Sequence, residues 1–160
     1  MSTGYRMQIV PIRTPLGQLH ATFEDGVLCS IDLDVPQSNK KAVFNPAAEQ
    51  LQQQLDGYFA DANFIFDLPV RLSGTAFQQR VWTALREIPS GGFCTYGELA
   101  ARLQTSARAI GNACRCNPVP IVIPCHRVVA ASGIGGYSGE TGGDKLAIKR
   151  LLLAHEGVQF

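Results

Sequence analysis

The chain reads as an α+β protein in two parts: a small antiparallel sheet with a helix, then a mostly helical domain containing a helix-turn-helix. Three observations predict this. The first third alternates apolar and polar residues in strand fashion, and two capping boxes open helices in the second half. The charge balance also reverses: residues 1–72 carry five basic against eight acidic side chains, residues 73–160 nine against five. Residues 1–72 are therefore expected to be a scaffold domain and residues 73–160 the domain that carries the chemistry; a chain of 160 residues can bury one ordinary core or two small ones.

Strands are expected over 8–13, 19–23 and 27–33, with Asp25-Gly26 turning the last hairpin. Asn45-Pro46 reads as N-cap plus first-turn proline of a helix through Glu49, Leu51, Leu55, Tyr58 and Phe59. Residues 64–68 read as a returning strand, and His20 as a surface or internally satisfied histidine. Thr75-Ala76-Phe77-Gln78 is a capping box, followed by Phe77, Val81, Leu85 and Ile88 on one face until Pro89 stops the helix. A second box, Thr95-Tyr96-Gly97-Glu98, opens a short helix with Leu99, Ala100 and Leu103 apolar; after a tight turn at Gln104-Thr105 a third helix runs from Ser106 to about Arg115. Pro118 and Pro120 impose an extended path into a short strand at 121–124, and a last helix, capped by Asp144, ends at Gly157.

With 46% hydrophobic and 17% charged residues the composition is globular, and the longest apolar runs are too short for a bilayer. The first residues lack a basic region followed by an apolar segment, so cytoplasmic residence is expected. Five cysteines, an odd count without framework spacing, are expected as free thiols. Residues 99–139 contain Arg102, Arg108, Arg115 and Arg127 but no Asp or Glu, which points to a polyanionic partner. A helix that reads base edges would carry several Arg, Asn or Gln side chains. The third helix instead has Ser106, Ala107, Ala109, Gly111 and Ala113, with Arg108 the one long basic residue near its start. Small residues let a backbone approach the minor groove, about 6 Å wide, while Arg108 reaches into the base stack; the same residues would equally permit tight helix packing.

Cys125 stands beside His126 and Arg127. A thiol of pKa about 8.5 is only about 3% thiolate at neutral pH, and a neighbouring imidazole or guanidinium raises that fraction. Cys125 is thus a candidate nucleophile, with a buried structural cysteine as the plain alternative. On a strand Cys125 and His126 would face opposite ways, so a turn or a water has to connect them. A histidine working as base needs an acceptor on its other nitrogen. Glu156 is the candidate, because a carboxylate at a helix C-terminus is disfavoured by the helix dipole and its presence asks for a reason. The Asn117 side chain can brace the turn ahead of Pro118, and the glycine-rich loop 132–139 can bring backbone amides to a planar ligand. That loop lacks the Gly-Lys-Ser/Thr ending of a phosphate loop. Cys114-x-Cys116 invites a zinc reading, but a closed site needs four ligands, and no metal is expected.

Together, residues 117–128, Tyr137-Ser138-Gly139 and residues 152–157 closely resemble the signature blocks of the O6-alkylguanine-DNA alkyltransferase (methylated-DNA–protein-cysteine methyltransferase) family. The resemblance extends through Phe77-Gln78-x-x-Val81-Trp82, Pro89-x-Gly91 and Tyr96-Gly97-x-Leu99-Ala100, and reaches Thr14-Pro15-Leu16-Gly17 more weakly. It implies a ribonuclease H-like N-terminal domain and a winged helix-turn-helix C-terminal domain. It further implies direct-reversal DNA repair: the base is flipped and the alkyl group of O6-alkylguanine, and also of O4-alkylthymine, moves to Cys125 once per molecule. His126 would act through a held water, Glu156 would orient it, and Asn117 would brace the turn. Tyr96 would donate a hydrogen bond to the guanine ring and crowd the phosphate. Pro120, the carbonyls of Cys125 and Val128, Tyr137 and the Ser138 amide would shape the base pocket. Arg108 would fill the vacated stack, with Ser106, Ala107, Ala109, Gly111 and Arg115 against the DNA. The implied partner is duplex DNA, bound in the minor groove by a monomer without sequence preference; no cofactor is implied, and the zinc ligands of some relatives are not assembled from Cys29 and His20 alone. Cys116 and Glu140 stand where the family often has Gly, and the loop 140–143 is slightly extended. A non-catalytic lesion-binding relative would have Trp in place of Cys125, and an alkylation-sensing regulator would need a helix that reads sequence.

Overall fold

The computed structural model describes residues 7–33, 45–135 and 144–159 and divides into two compact units, Met1–Ser73 and Gly74–Phe160.

In the first unit β1 (Met7–Thr14), β2 (Gly17–Glu24) and β3 (Val27–Asp32) form an antiparallel meander in that order. The β2–β3 turn has Asp25 and Gly26 both at positive φ, 52° and 80°, the backbone twist that matches the flanking strands and that glycine adopts without strain. Helix α1 (Pro46–Ala60) packs on β1 and β2 and buries Ala48, Leu51, Leu55 and Tyr58. Asn45 caps it, its side-chain oxygen accepting from the Ala47 and Ala48 amides at 3.0 and 3.1 Å. Two glutamines of α1 each clamp one backbone residue: Gln52 accepts from Arg13 N–H at 3.0 Å and donates to its carbonyl at 2.8 Å. Gln54 treats Asp67 the same way at 2.8 and 2.6 Å.

That clamp explains a correction. Residues 64–68 form no strand, because the Asp67 backbone is paired with a side-chain amide, while Phe64 meets Phe66 edge to face and Phe66 packs on Tyr58. Pairing with the sheet occurs only at Val70, which bridges Leu28, and at Arg71, whose N–H donates to the Leu28 carbonyl at 2.8 Å.

In the second unit both capping boxes form. α2 (Ala76–Arg86) starts with Thr75 Oγ1 accepting from Gln78 N–H and Gln78 Oε1 accepting from Thr75 N–H. α3 (Tyr96–Leu103) repeats this with Thr95 and Glu98. Gln104, in the left-handed region at φ 57°, ends α3, and Ser106 caps α4 (Ala107–Arg115) by accepting from Ala109 N–H at 3.1 Å. The helix-turn-helix is tied to α2 by the fully buried Trp82, whose indole N–H donates to the Ala113 carbonyl at 2.9 Å. Two short parallel strands, β4 (Cys94–Thr95) and β5 (Val128–Val129), pair Cys94 with Val128 and Thr95 with Val129. The pairing fixes the first turn of α3, and with it Tyr96, beside the segment that follows Cys125. Helix α5 (Asp144–His155) closes the unit with Leu152 and Leu153 buried.

Candidate active site

The segment leading to Cys125 is a compact turn, not the short strand expected at 121–124. Asn117 holds it from inside: its amide donates to the Ile123 carbonyl at 2.9 Å and its oxygen accepts from Val119 N–H at 3.1 Å. Ile123 N–H donates to the Val119 carbonyl at 3.0 Å, and Ile121 sits at φ 76°. A β-branched residue there stores strain of about 1–3 kcal/mol, and this reversal is what breaks the strand. The chain then enters a single 3-10 turn, Cys125–Arg127, so the alternation that would have set Cys125 and His126 on opposite faces does not apply. Cys125 is only 4% exposed.

His126 is fully buried, with Nε2 2.8 Å from Glu156 Oε2. The carboxylate is also gripped by Arg127: Nε donates to Oε1 at 2.8 Å, Nη2 to Oε2 at 3.0 Å, and Nη1 continues to the Ile88 carbonyl at 2.5 Å. Glu156 follows directly on α5, and Gly157 at φ 87° ends the helix, its N–H bonding to Ala154 while Val158 N–H bonds to Leu153 at 2.8 Å. The fork of Arg127 and the imidazole answer the dipole objection to a carboxylate at this end. Burial pulls the His126 pKa below its ordinary value; the bond to Glu156 and its charge pull the other way, and the charges of Arg127 and Lys149 add to the lowering. The imidazole is therefore neutral at physiological pH. With Nε2–H donated to the carboxylate, Nδ1 carries the free lone pair, and that buried atom has no hydrogen-bond partner.

Tyr96, at the first position of α3, has its phenol pKa raised by burial first and then by the Cys114 and Cys125 thiols, so it remains a proton-bearing donor. Gly135 at φ 75° runs against its ring, where a Cβ would lie 3.1 Å from Tyr96 Cε2. Two further side chains lie at the site. One is Arg127, which the sequence sets beside the thiol as a cation and whose guanidinium the structure engages with Glu156. The other is Lys149, completely buried, with Nζ donating to the Val128 carbonyl at 2.8 Å. Its signal is spacing: Lys149, Leu152, Leu153 and Glu156 recur at helical period, which puts a lysine on an inward stripe.

Hydrogen bonds join Asn117, Cys125 and Val128 through the turn, and a second set joins His126 and Arg127 to Glu156; the two meet at the consecutive residues Cys125 and His126, with buried Pro120 in the same turn. Tyr137 and Ser138 lie outside the described residues. On α4, Ser106, Ala107, Arg108 and Arg115 are exposed and Ala109 and Gly111 half-buried, whereas Ala113 faces the core. Among the described residues no group of three or more His, Cys, Asp or Glu could hold a metal ion, and no helix is long and apolar enough to cross a membrane.

The sequence of residues 76–158 matches the family model described as 6-O-methylguanine DNA methyltransferase, DNA binding domain. A methylated-DNA–protein-cysteine methyltransferase of Metallosphaera sedula is 36% identical, covering 90% of this chain and 89% of the relative. The constitutive methylated-DNA–protein-cysteine methyltransferase of Bacillus subtilis is 35% identical, covering 92% and 93%. The crystal structure of Mycobacterium tuberculosis OGT in complex with DNA superposes with a TM-score of 0.77 at 36% identity, covering 93% of this chain and 92% of that one. With the family model spanning over half the chain and such relatives spanning nine tenths, the chain belongs to the methylated-DNA–protein-cysteine methyltransferase family of DNA-repair enzymes.

Proposed function

We propose that the protein repairs alkylated DNA by taking the alkyl group, foremost the methyl of O6-methylguanine, onto Cys125 in a reaction each molecule performs once. O4-alkylthymine, with the same alkyl–oxygen bond, is a second substrate. The observation that carries this reading is the buried assembly in which His126 offers a free Nδ1 beside the Cys125 turn while Nε2 is fixed to Glu156.

The thiol proton passes through a bound water to His126 Nδ1, and Glu156 stabilises the imidazolium that forms. The thiolate attacks the alkyl carbon. The S–C bond forms, the C–O6 bond breaks, and its electron pair returns to the guanine oxygen and ring, where the Tyr96 hydroxyl donates a hydrogen bond. The thioether has no easy hydrolytic exit, so the acceptor is consumed. A stacked base cannot bring its alkyl carbon to a thiol that is 4% exposed, so the nucleotide is rotated out of the duplex at a cost of a few kcal/mol. Pro120, the Cys125 and Val128 carbonyls, Tyr137 and Ser138 then line the base pocket.

The exposed small residues of α4 support approach to the minor groove, with Arg108 filling the vacated stack and Arg115 on the backbone. The DNA complex of the Mycobacterium tuberculosis relative supports DNA as the partner. Contacts of this kind bind as a monomer, without sequence preference and with affinity that falls as salt rises. Intact-mass spectrometry after incubation with a duplex carrying O6-methylguanine should show the protein heavier by one methylene and Cys125→Ser unchanged. A wild-type protein that gains no mass sinks the proposal.

A further inference from the structure

Cys114, near the end of α4, carries a thiol to which the proposed steps give no role. Both it and Cys125 are free thiols, and the backbones of the two residues are fastened to one hub. Asn117 N–H donates to the Cys114 carbonyl at 3.1 Å, the Asn117 side-chain amide donates to the Ile123 carbonyl at 2.9 Å, and Cys125 N–H donates to that same carbonyl at 2.8 Å. The turn therefore folds the end of α4 back toward the residue that carries the proposed acceptor.

The side chains meet as well. Burial first and the Cys125 thiol second push the Cys114 thiol above its ordinary range, and both sulfurs act on the Tyr96 phenol. The other thiols of this unit are placed differently. Cys94, on β4, is raised by burial and then by Glu98, and it acts on Cys114 more weakly than Cys125 does. Cys116, exposed at the α4 C-cap, stands two positions from Cys114, a spacing that puts side chains on different sides of a helix. Cys114 is thus the thiol placed to reach Cys125. A protonated thiol is a poor nucleophile, so Cys114 by itself resists peroxide, whereas an activated thiolate at Cys125 is open to it. With Cys125 only 4% exposed, a sulfenic acid formed there is shielded from bulky thiols in solution, and without an internal partner it is left to proceed to sulfinic acid, which thiols do not reverse.

We propose that Cys114 is the resolving thiol for Cys125. Hydrogen peroxide oxidises the Cys125 thiol to sulfenic acid with release of one water. The Cys114 sulfur then bonds to the Cys125 sulfur, the S–O bond breaks, and the hydroxyl leaves with the Cys114 proton as a second water. The two thiols have given two electrons to the peroxide, and the disulfide masks the acceptor until a dithiol reduces it. The masking rests on the alkyl-acceptor reading of Cys125; the disulfide does not. Reduced protein treated with hydrogen peroxide, blocked with N-ethylmaleimide and digested with trypsin without reductant should yield residues 109–115 joined to residues 116–127. The second peptide holds both Cys116 and Cys125, so the same link must form in Cys116→Ser. Its absence there, a link from Cys114 to Cys94 instead, or a wild type whose Cys125 ends as sulfinic acid overturns the proposal. Cys114→Ser, oxidised in the same way and then reduced with dithiothreitol, should lose most of the iodoacetamide labelling of Cys125 that wild type recovers; equal recovery overturns the resolving role. Oxidised wild type should take no methyl from O6-methylguanine DNA and regain transfer after dithiothreitol, and undiminished transfer by the linked protein overturns the masking. A protein that takes no methyl even before oxidation sinks the proposed function, while the peptide link still decides the pairing of the two thiols.

Discussion

The two units handle their polar groups in opposite ways. In the first, side-chain amides serve the backbone: Asn45 caps α1, Gln52 pairs Arg13, and Gln54 pairs Asp67. In the second, charge is taken inside. Among the described residues the buried His, Lys and Glu, namely His126, Lys149 and Glu156, all belong to this unit. An amide with its bonds made costs little to hold near the surface, whereas a buried ion costs several kcal/mol unless it is paired and hydrogen-bonded. Such arrangements concentrate where protons move. Among the described residues the first unit thus buries no charged side chain, and the second buries its ionisable groups around one thiol.

Glu156→Ala is the largest expected break in that contrast. It leaves the Arg127 guanidinium and His126 Nε2 without their carboxylate in an interior where the Glu156 side chain has no exposed surface. A loss of about 3–5 kcal/mol is expected in urea unfolding; a loss near that of a surface substitution would show that solvent screens the cluster. Leu51→Ala, in the core of the first unit at zero exposure, should cost about 2–5 kcal/mol by cavity formation. Under conditions where this variant is still folded, the rate at which Cys125 reacts with iodoacetamide should match wild type. A drop in that rate would mean that the chemistry also depends on the first unit.

How much of this was legible in the sequence follows the same divide. Local rules were sufficient where neighbours in sequence are neighbours in space: the Asp25-Gly26 turn, the Asn45 cap and both capping boxes form where their residues stand. They failed at 64–68, where the partner of the Asp67 backbone is a glutamine thirteen residues away. They failed again at 121–124, where a β-branched run between prolines reads as a strand. The positive φ of Ile121 is imposed by the Asn117 bracing, which no propensity reports. The partnership of His126 with Glu156 could be reasoned from chemistry because a base needs an acceptor. Lys149 escaped because a lysine is read as exposed unless its helical face is worked out first.

The next effect is a pH slope. Burial holds His126 below its ordinary value of 6.5, so on acidification through that value the unfolded chain takes up a proton that the folded one refuses. The stability contributed is complete above the unfolded value and is lost as pH falls below it, with a limiting slope of about 1.4 kcal/mol per pH unit. Urea midpoints collected across this window should show the slope in wild type and a flatter profile in His126→Gln. Equal slopes in the two proteins would assign acid sensitivity to other groups.

The smallest effect tests the other side of the contrast. Gln54→Ala removes two hydrogen bonds to the Asp67 backbone at 2.8 and 2.6 Å, as many as Arg127 makes to Glu156. Counting bonds would predict similar losses for the two sites. The surroundings predict otherwise: the clamp is exposed, so water replaces the amide at Asp67, and the net loss should be about 1 kcal/mol. It should appear as a lower urea midpoint with an unchanged slope of free energy against urea, because the surface exposed on unfolding is the same. A loss as large as that of Glu156→Ala would mean that hydrogen-bond number rather than buried charge sets the difference between the units.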